Sequence, residues 1–99
     1  MRENVVIWEN GDLAVWESSH GVVKCRVLGI YRDNVVVQVT ARKNGYIAAG
    51  RIIAVSPDRV HHRKNVYLRQ GFWRVYCPRV VNWDNVAPYE GSTSDLRFY

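Results

Sequence analysis

The residues of this sequence that could perform chemistry are two cysteines and three histidines, and their spacing argues against a metal site. Cys25 and Cys77 are far apart, and no CxxC or HxxxH spacing connects either of them with His20, His61 or His62. A zinc site needs about four ligands at suitable spacing. Adjacent histidines in an extended chain point to opposite faces and would not chelate one ion together. The sequence therefore predicts two buried thiols and no metal or other cofactor.

Catalytic constellations are also missing from the sequence. Nucleophilic catalysis needs a nucleophile, a neighbouring base and a group that orients the base. The Ser-Ser-His segment at 18–20 consists of neighbours in a predicted turn, where such a triad rarely forms. The chain contains no G-x-S-x-G elbow, P-loop or G-x-G-x-x-G motif. We therefore expect a protein that is not an enzyme.

The charge of the chain is concentrated in its middle. Residues 22–79 carry twelve Lys and Arg against two Asp, a net charge of +10, whereas the two ends together carry −5. Eleven of the fourteen basic residues are Arg, whose planar guanidinium pairs with phosphates and carboxylates and stacks on aromatic rings. The middle of the chain is thus either a solvated basic surface or a surface that faces a polyanion.

Basic and aromatic side chains are interleaved along the predicted strands, as in surfaces that hold phosphates and stack on bases. The candidate binding residues are Lys24, Arg26, Arg42, Lys43, Arg51, Arg63, Lys64 and Arg69, with Tyr46 and Tyr67 as candidate stacking rings. No pattern for reading particular bases is visible, so binding should depend weakly on nucleotide sequence. Arg and aromatic residues are also common in protein interfaces, so an acidic protein surface is the alternative partner.

Length and composition limit the class of protein. Ninety-nine residues suit one domain, and 47% hydrophobic with 23% charged residues is typical of a packed globular chain. No stretch approaches the roughly 18 apolar residues of a membrane helix, and no signal peptide is recognisable. We expect one cytoplasmic domain over residues 1–91, a flexible tail over 92–99 and no membrane partner. The oligomeric state does not follow from the sequence.

The hydrophobic pattern predicts strands and no helix. Short runs rich in Val, Ile, Tyr and Trp are separated by turn residues. Asn10-Gly11 predicts a hairpin that pairs residues 5–8 with residues 13–16. In the strand predicted over 22–30, the apolar positions change parity near Gly29, which indicates a bulge or a bend. Six to eight such strands in so short a chain favour a small all-β barrel.

Residues 11–63 resemble small SH3-like barrels of the KOW and Tudor kind. The resemblance consists of a first strand at 11–16, a long bent strand at 20–30, strands at 35–39 and 50–55, and a 3₁₀ turn at 56–60. It implies a barrel of strongly bent antiparallel strands. Residues 64–99 have no counterpart in the pattern, and we expect them to add strands to the barrel or to form a second sheet. The second glycine that KOW motifs usually keep is missing at 24–26. The short, Trp-rich chain is also similar to small accessory proteins of bacteriophages and prophages.

Two functions follow as expectations from these observations. The first is a non-enzymatic nucleic-acid-binding module that uses an Arg-rich basic face with low sequence specificity. The alternative is a small accessory or inhibitory protein of the phage type that docks on an acidic surface of a larger host protein.

Overall fold

The computed structural model of the protein describes residues 5–41, 47–78 and 80–99. In these residues the regular elements are strands and two single 3₁₀ turns, and no helix is long and apolar enough to cross a membrane. The strands are β1 Val5–Ile7, β2 Leu13–Ser18, β3 Gly21–Tyr31, β4 Asn34–Val39, β5 Ile52–Val55, β6 Val60–His62, β7 Val66–Arg69, β8 Phe72–Val75, β9 Val80–Asn82 and β10 Arg97–Phe98. The 3₁₀ turns cover Pro57–Arg59 and Arg63–Asn65. The predicted all-β class is confirmed.

The largest sheet has six strands in the order β10-β5-β4-β3-β2-β6. Neighbours within it are antiparallel, except that β10 runs parallel to β5. In the described part of the chain this sheet stays open and does not close into the barrel predicted from the sequence. Its edge strands β6 and β10 are only three and two residues long, and each pairs with a single neighbour, so no strand connects the two edges.

The largest core cluster lies on one face of this sheet, although Val15, Val36 and Ala54 are also buried on the opposite face. In β3, Val23, Cys25 and Val27 are buried while Lys24 and Arg26 point to the opposite face. Side chains from β2, β4, β5 and β6 complete the core in the same way. The alternation of a half-buried strand therefore determines which basic residues of β3 are exposed.

The bulge predicted near Gly29 is confirmed, because the register between β3 and β4 shifts between Val27 and Gly29. Beyond the bulge, β3 pairs with residues 87–89. Ile30 donates its N–H to the oxygen of Ala87 (3.1 Å), and Tyr89 donates its N–H to the oxygen of Ile30 (2.8 Å). Along one edge β3 thus stays paired with β4, and along the other edge it pairs first with β2 and then with residues 87–89.

The hairpin predicted at Asn10-Gly11 is not formed, since β1 pairs in parallel with β9 and not with β2. The side chain of Asn10 instead holds two distant segments. Its Nδ2 donates to the oxygen of Leu28 (3.0 Å), and its Oδ1 accepts from the N–H of Ala87 (2.8 Å). Asn-Gly therefore turns the chain here, but from one sheet into another.

The segment for which the sequence predicts a flexible tail contains β10. Tyr99 donates its N–H to the oxygen of Ala54 (2.9 Å), which extends the parallel pairing with β5. The rings of Phe98 and Tyr31 lie 6.0 Å apart, and Tyr99 makes an edge contact with Trp16 at 5.3 Å. Residues 97–99 thereby cover the edge of the six-stranded sheet at β5.

Candidate functional site

Strands β7 and β8 form a two-stranded antiparallel sheet, here called the ribbon, that is separate from the six-stranded sheet. Gln70 and Gly71 connect the two strands, and both have positive φ angles of 53° and 80°. Two central residues with positive φ are the signature of a type I′ turn, whose twist matches that of paired strands. The ribbon therefore has a defined register and two distinct faces.

One face of the ribbon carries alternating arginines and aromatic rings. Tyr67 lies opposite Arg74, and Arg69 lies opposite Phe72. The side chains are exposed, with 46% of Tyr67 and 67% of Phe72 accessible to solvent. Neither arginine makes an ion pair or hydrogen bond with the described residues. We call these four residues the Arg–aromatic face.

The opposite face of the ribbon is only partly covered by the large sheet, since Leu68 and Trp73 on this face are still 60% and 42% exposed. Val66 and Trp73 line a groove of about 220 Å³ together with Val15 and Lys24 on the face of the large sheet opposite the core. Since successive side chains of a strand point to opposite faces, this packing directs the Arg–aromatic face away from the sheet. The apolar contact thus sets which side of the ribbon is nearer the sheet, although both faces keep exposed side chains.

The predicted basic residues of β3 lie on the sheet face that the ribbon partly covers. Lys24 is opposite Val15 and contributes to the groove beneath Trp73, and Arg26 lies between Leu13 and Gln38. Both side chains are exposed. They flank the ribbon and do not belong to the Arg–aromatic face.

Arg63 has a structural role that the sequence does not reveal. Its Nη2 donates to Thr40 Oγ1 (2.8 Å) and to the oxygen of Cys25 (3.4 Å), and its Nε donates to the oxygen of Ala14 (3.4 Å). These partners belong to or adjoin three neighbouring strands, so the guanidinium holds the sheet together. Lys64, on the same 3₁₀ turn, is exposed.

The other predicted site residues do not join the ribbon. Arg51 lies beside Arg97 near the edge formed by β5 and β10, where both line a shallow depression. Arg42, Lys43 and Tyr46 lie outside the described residues. Of the ten candidates, Tyr67 and Arg69 are the ones that the structure places on the Arg–aromatic face.

A cavity of about 420 Å³ lies beside β6 and is here called the His–Trp cavity. Its wall includes the stacked rings of Trp8 and Trp83, whose centroids are 4.5 Å apart at an angle of 3°. The ring of His62 lies 5.4 Å from that of Trp8. Burial and the nearby charge of Lys64 lower the pKa of His62, although Asp12 opposes this effect. His62 is therefore neutral at pH 7.

Three nitrogen atoms near this cavity are buried without a hydrogen-bond partner among the described residues, namely Trp8 Nε1, His61 Nε2 and His62 Nδ1. His61 Nε2 lies 3.2 Å from Glu17 Oε2, within ion-pair distance but without hydrogen-bond geometry. Trp8 and His62 have no such neighbour. Nearly all buried polar atoms in proteins are paired, so these two atoms are exceptions in the described part of the chain. Because they have almost no accessible surface, they lie behind the cavity wall and not on its surface.

The two cysteines occupy different environments. Cys25 is completely buried in the core, and burial raises the pKa of its thiol to about 12 despite the opposing charge of Arg63. Cys77 is exposed and lines the His–Trp cavity, so the prediction of two buried thiols is wrong for this residue. It lies two residues beyond the end of β8 and directly before Pro78.

The candidate residues chosen from the sequence did not include Phe72 and Arg74. Both alternate with Trp73 and Val75 on the strand that follows Gln70-Gly71. The available signal was the two-residue turn, which fixes Tyr67 opposite Arg74. No protein-family model, curated protein or solved structure matches the chain. The resemblance to SH3-like barrels accordingly remains a prediction.

Proposed function

We propose that the protein is a nucleic-acid-binding module whose Arg–aromatic face holds single-stranded RNA or DNA with little sequence preference. The observation that carries this proposal is the exposed cross-strand alternation of Tyr67 with Arg74 and of Arg69 with Phe72. Aromatic rings stack on unpaired bases of any identity, and guanidinium groups bind the phosphates between them.

The dimensions of the ribbon fit this role. Side chains directly opposite in an antiparallel pair have Cβ atoms about 4.5–5.5 Å apart, so each ring lies next to an arginine on the other strand. Successive residues on one face of a strand are about 6.6 Å apart, which places Tyr67 and Arg69 side by side along β7. A base on either ring therefore has a cation beside it for the adjoining phosphate.

The remaining charges extend this surface. Lys24 and Arg26 flank the ribbon, Lys64 precedes it, and the chain as a whole carries +5. Such a field attracts a polyanion over a distance of about one Debye length, roughly 8–10 Å at physiological salt. We accordingly expect the affinity to fall steeply as salt is added.

The test is fluorescence anisotropy with short labelled single-stranded oligonucleotides at about 50 and 200 mM salt. Tyr67→Ala and Phe72→Ala should each weaken binding about five- to hundredfold, because a stacked base contributes about 1–3 kcal/mol. Phe98→Ala is the matched control, since Phe98 is also an exposed ring but lies on β10, at an edge of the six-stranded sheet.

The proposed contacts of the arginines with phosphate groups are tested by the salt dependence of the affinity. The pair Arg69→Gln and Arg74→Gln should reduce the slope of log affinity against log salt by about 1.4, from about 0.7 for each lost contact with a single strand. Arg59→Gln removes the same charge from an exposed 3₁₀ turn and should leave the slope nearly unchanged. The proposal fails if the wild-type protein does not bind at low salt, or if the ring variants and Phe98→Ala weaken binding alike.

The alternative of an acidic protein partner uses the same side chains, because Arg and aromatic residues also dominate protein interfaces. A pull-down from nuclease-treated lysate separates the two functions. Capture of one stoichiometric protein, together with no binding to oligonucleotides, would favour the protein partner.

A further inference from the structure

The groove between the ribbon and the large sheet, here called the Trp73 groove, has a cationic and aromatic lining. Its volume of about 220 Å³ lies below the roughly 300–1,000 Å³ of typical ligand pockets, so it suits one ring and one charged group of a larger ligand. The ring of Trp73, which is 42% exposed, forms part of its wall. Lys24 and Arg63 supply two positive charges, and none of its described lining residues is Asp or Glu. The groove therefore favours an anion that carries a flat ring.

Arg63 is a half-buried cation whose neighbours are uncharged acceptors. Its Nε and Nη2 donate to two backbone carbonyl oxygens and a threonine hydroxyl. Within the part of the chain that the structure describes, the one ion pair joins His61 to Glu17 and does not involve Arg63. Removing a charge from water is costly unless an opposite charge compensates it. An anionic ligand in the groove would supply the opposite charge that the described residues do not provide.

The donors that remain on the two cations suit an oxyanion. Nη1 of Arg63 makes no hydrogen bond with the described residues, and the exposed ammonium group of Lys24 makes neither an ion pair nor a hydrogen bond with them. Guanidinium and ammonium groups both bind phosphate oxygens through charge-assisted hydrogen bonds. The carboxylate of Glu17, on the adjacent strand, lies 3.2 Å from His61 Nε2 and does not line the groove. A phosphate group at Lys24 and Arg63 would therefore find donors and meet no carboxylate in the lining.

The ring of Trp73 lies on the face of the ribbon that is turned toward the sheet. It is opposite Leu68, and Val15 and Val66 line the groove with it. Bases of any identity stack on an aromatic ring, because each base has a flat π-face. The groove thus combines a stacking surface with two cations in one depression, which is the combination that a nucleotide requires.

We propose that the Trp73 groove is a second nucleotide subsite, which takes one base against Trp73 and its phosphate at Arg63 and Lys24. This inference rests on the proposed function, because the strand held by the Arg–aromatic face supplies the nucleotide. The groove lies on the other face of the ribbon, so a strand that fills both sites has to pass around the ribbon. The bound segment is accordingly longer than the one that the Arg–aromatic face alone would hold.

The test begins with adenosine monophosphate added to the ¹⁵N-labelled protein. The indole N–H resonance of Trp73 should move and saturate, while that of Trp16, which is buried in the core, should stay in place. Adenosine lacks the phosphate and should bind roughly ten- to hundredfold more weakly, because the charge-assisted hydrogen bonds are lost. An unmoved Trp73 signal, or equal affinities for adenosine and its monophosphate, would overturn the proposal.

A charge-matched pair of variants tests the place of binding. Lys24→Gln should weaken the binding of adenosine monophosphate about three- to tenfold, because an exposed cation contributes modestly to such a contact. The side chain of Lys24 is exposed, so this change leaves the core intact. Arg59→Gln is the control, since it removes the same charge from an exposed 3₁₀ turn that does not line the groove. Equal affinities for adenosine monophosphate in the two variants would refute binding in the groove.

The same measurements separate this inference from the proposed function. If oligonucleotides bind and Tyr67→Ala weakens them, but Lys24→Gln and Arg59→Gln bind adenosine monophosphate alike, only the subsite in the groove is wrong. If adenosine monophosphate moves the Trp73 signal and depends on Lys24 while no oligonucleotide binds, the proposed function is wrong and the groove is a site for free mononucleotides. If both ligands bind and both move the Trp73 signal, the nucleotide in the groove belongs to the strand.

Discussion

The addition of a single methyl group at Gly29 should strongly lower the free energy of unfolding. A Cβ atom added there would lie 2.7 Å from both the nitrogen and the Cα of Tyr89, and 3.0 Å from the oxygen of Ala87. Ordinary contacts to a Cβ begin at about 3.4 Å, and the nearest atoms are backbone atoms that cannot rotate away. Gly29→Ala therefore has to push the segment 87–89 off the strand by several tenths of an ångström.

The magnitude follows from what this displacement disturbs. Overpacking a well-packed site costs about 1–3 kcal/mol. The displaced segment also holds the two hydrogen bonds between Ile30 and residues Ala87 and Tyr89, each worth about 0.5–1.5 kcal/mol. We expect Gly29→Ala to lower the free energy of unfolding by about 2–6 kcal/mol, a large part of the roughly 5–15 kcal/mol of a typical domain.

Urea denaturation followed by tryptophan fluorescence measures this loss. A double variant checks its cause, because Tyr89→Ala removes a side chain but leaves the backbone atoms that clash. Tyr89→Ala should therefore not restore the stability of Gly29→Ala. The reasoning is refuted if the free energy of unfolding of Gly29→Ala lies within about 0.5 kcal/mol of the wild-type value, which is the usual effect of a harmless surface substitution. It is also refuted if Tyr89→Ala restores the stability of Gly29→Ala.

Two further predictions concern titratable groups. Because the pKa of His62 is lowered in the folded protein, the unfolded chain binds a proton on this residue at a higher pH than the folded chain does. The free energy of unfolding should therefore decrease as the pH falls below 6.5. In the His62→Gln variant this decrease should be smaller. Denaturation above and below pH 6.5 measures this, and parallel pH profiles would contradict it. Iodoacetamide should label the native protein once, at Cys77, because Cys25 is buried and the pKa of its thiol is raised to about 12. Mass spectrometry should find a second label only after unfolding, and prompt native labelling of Cys25 would contradict the description of the core.

The hydrophobic pattern of the sequence predicted those parts of the fold that depend only on residues within one strand. The alternation of Val23, Cys25 and Val27 with Lys24 and Arg26 gave the orientation of β3, because one face of a strand must be apolar when only that face is buried. The change of parity at Gly29 gave the bulge for the same reason. Both predictions need only residues within one strand and its immediate neighbours.

The pairing of β1 could not be predicted because distant segments compete for it. Asn10-Gly11 is a strong hairpin signal, yet β1 pairs with β9, which lies more than seventy residues further along the chain. Asn10 itself contributes to this outcome through its hydrogen bonds to Leu28 and Ala87. A turn signal specifies that the chain reverses, but the pairing depends on which strand offers the better apolar contact.

The types of residue in the candidate site could be predicted from the sequence, but their positions relative to one another could not. Charge counting identified Arg63 and Arg69 alike, but Arg63 lies beside three sheet acceptors and satisfies them, whereas Arg69 lies beyond their reach. The difference arises because the 3₁₀ turn at Arg63–Asn65 places the first arginine against the large sheet. A charged residue is available for a ligand only where the fold leaves its donors unused.

The register of the ribbon decides which side chains can bind. A slip of one residue in β7 would exchange its two faces and turn Tyr67 and Arg69 toward the sheet, with Val66 and Leu68 away from it. The I′ turn at Gln70-Gly71 and the apolar contact of Trp73 with the sheet oppose this slip together. Trp73 thus acts on the binding face without belonging to it, because its partial contact with the sheet favours the register in which the neighbouring rings and arginines point away from the sheet.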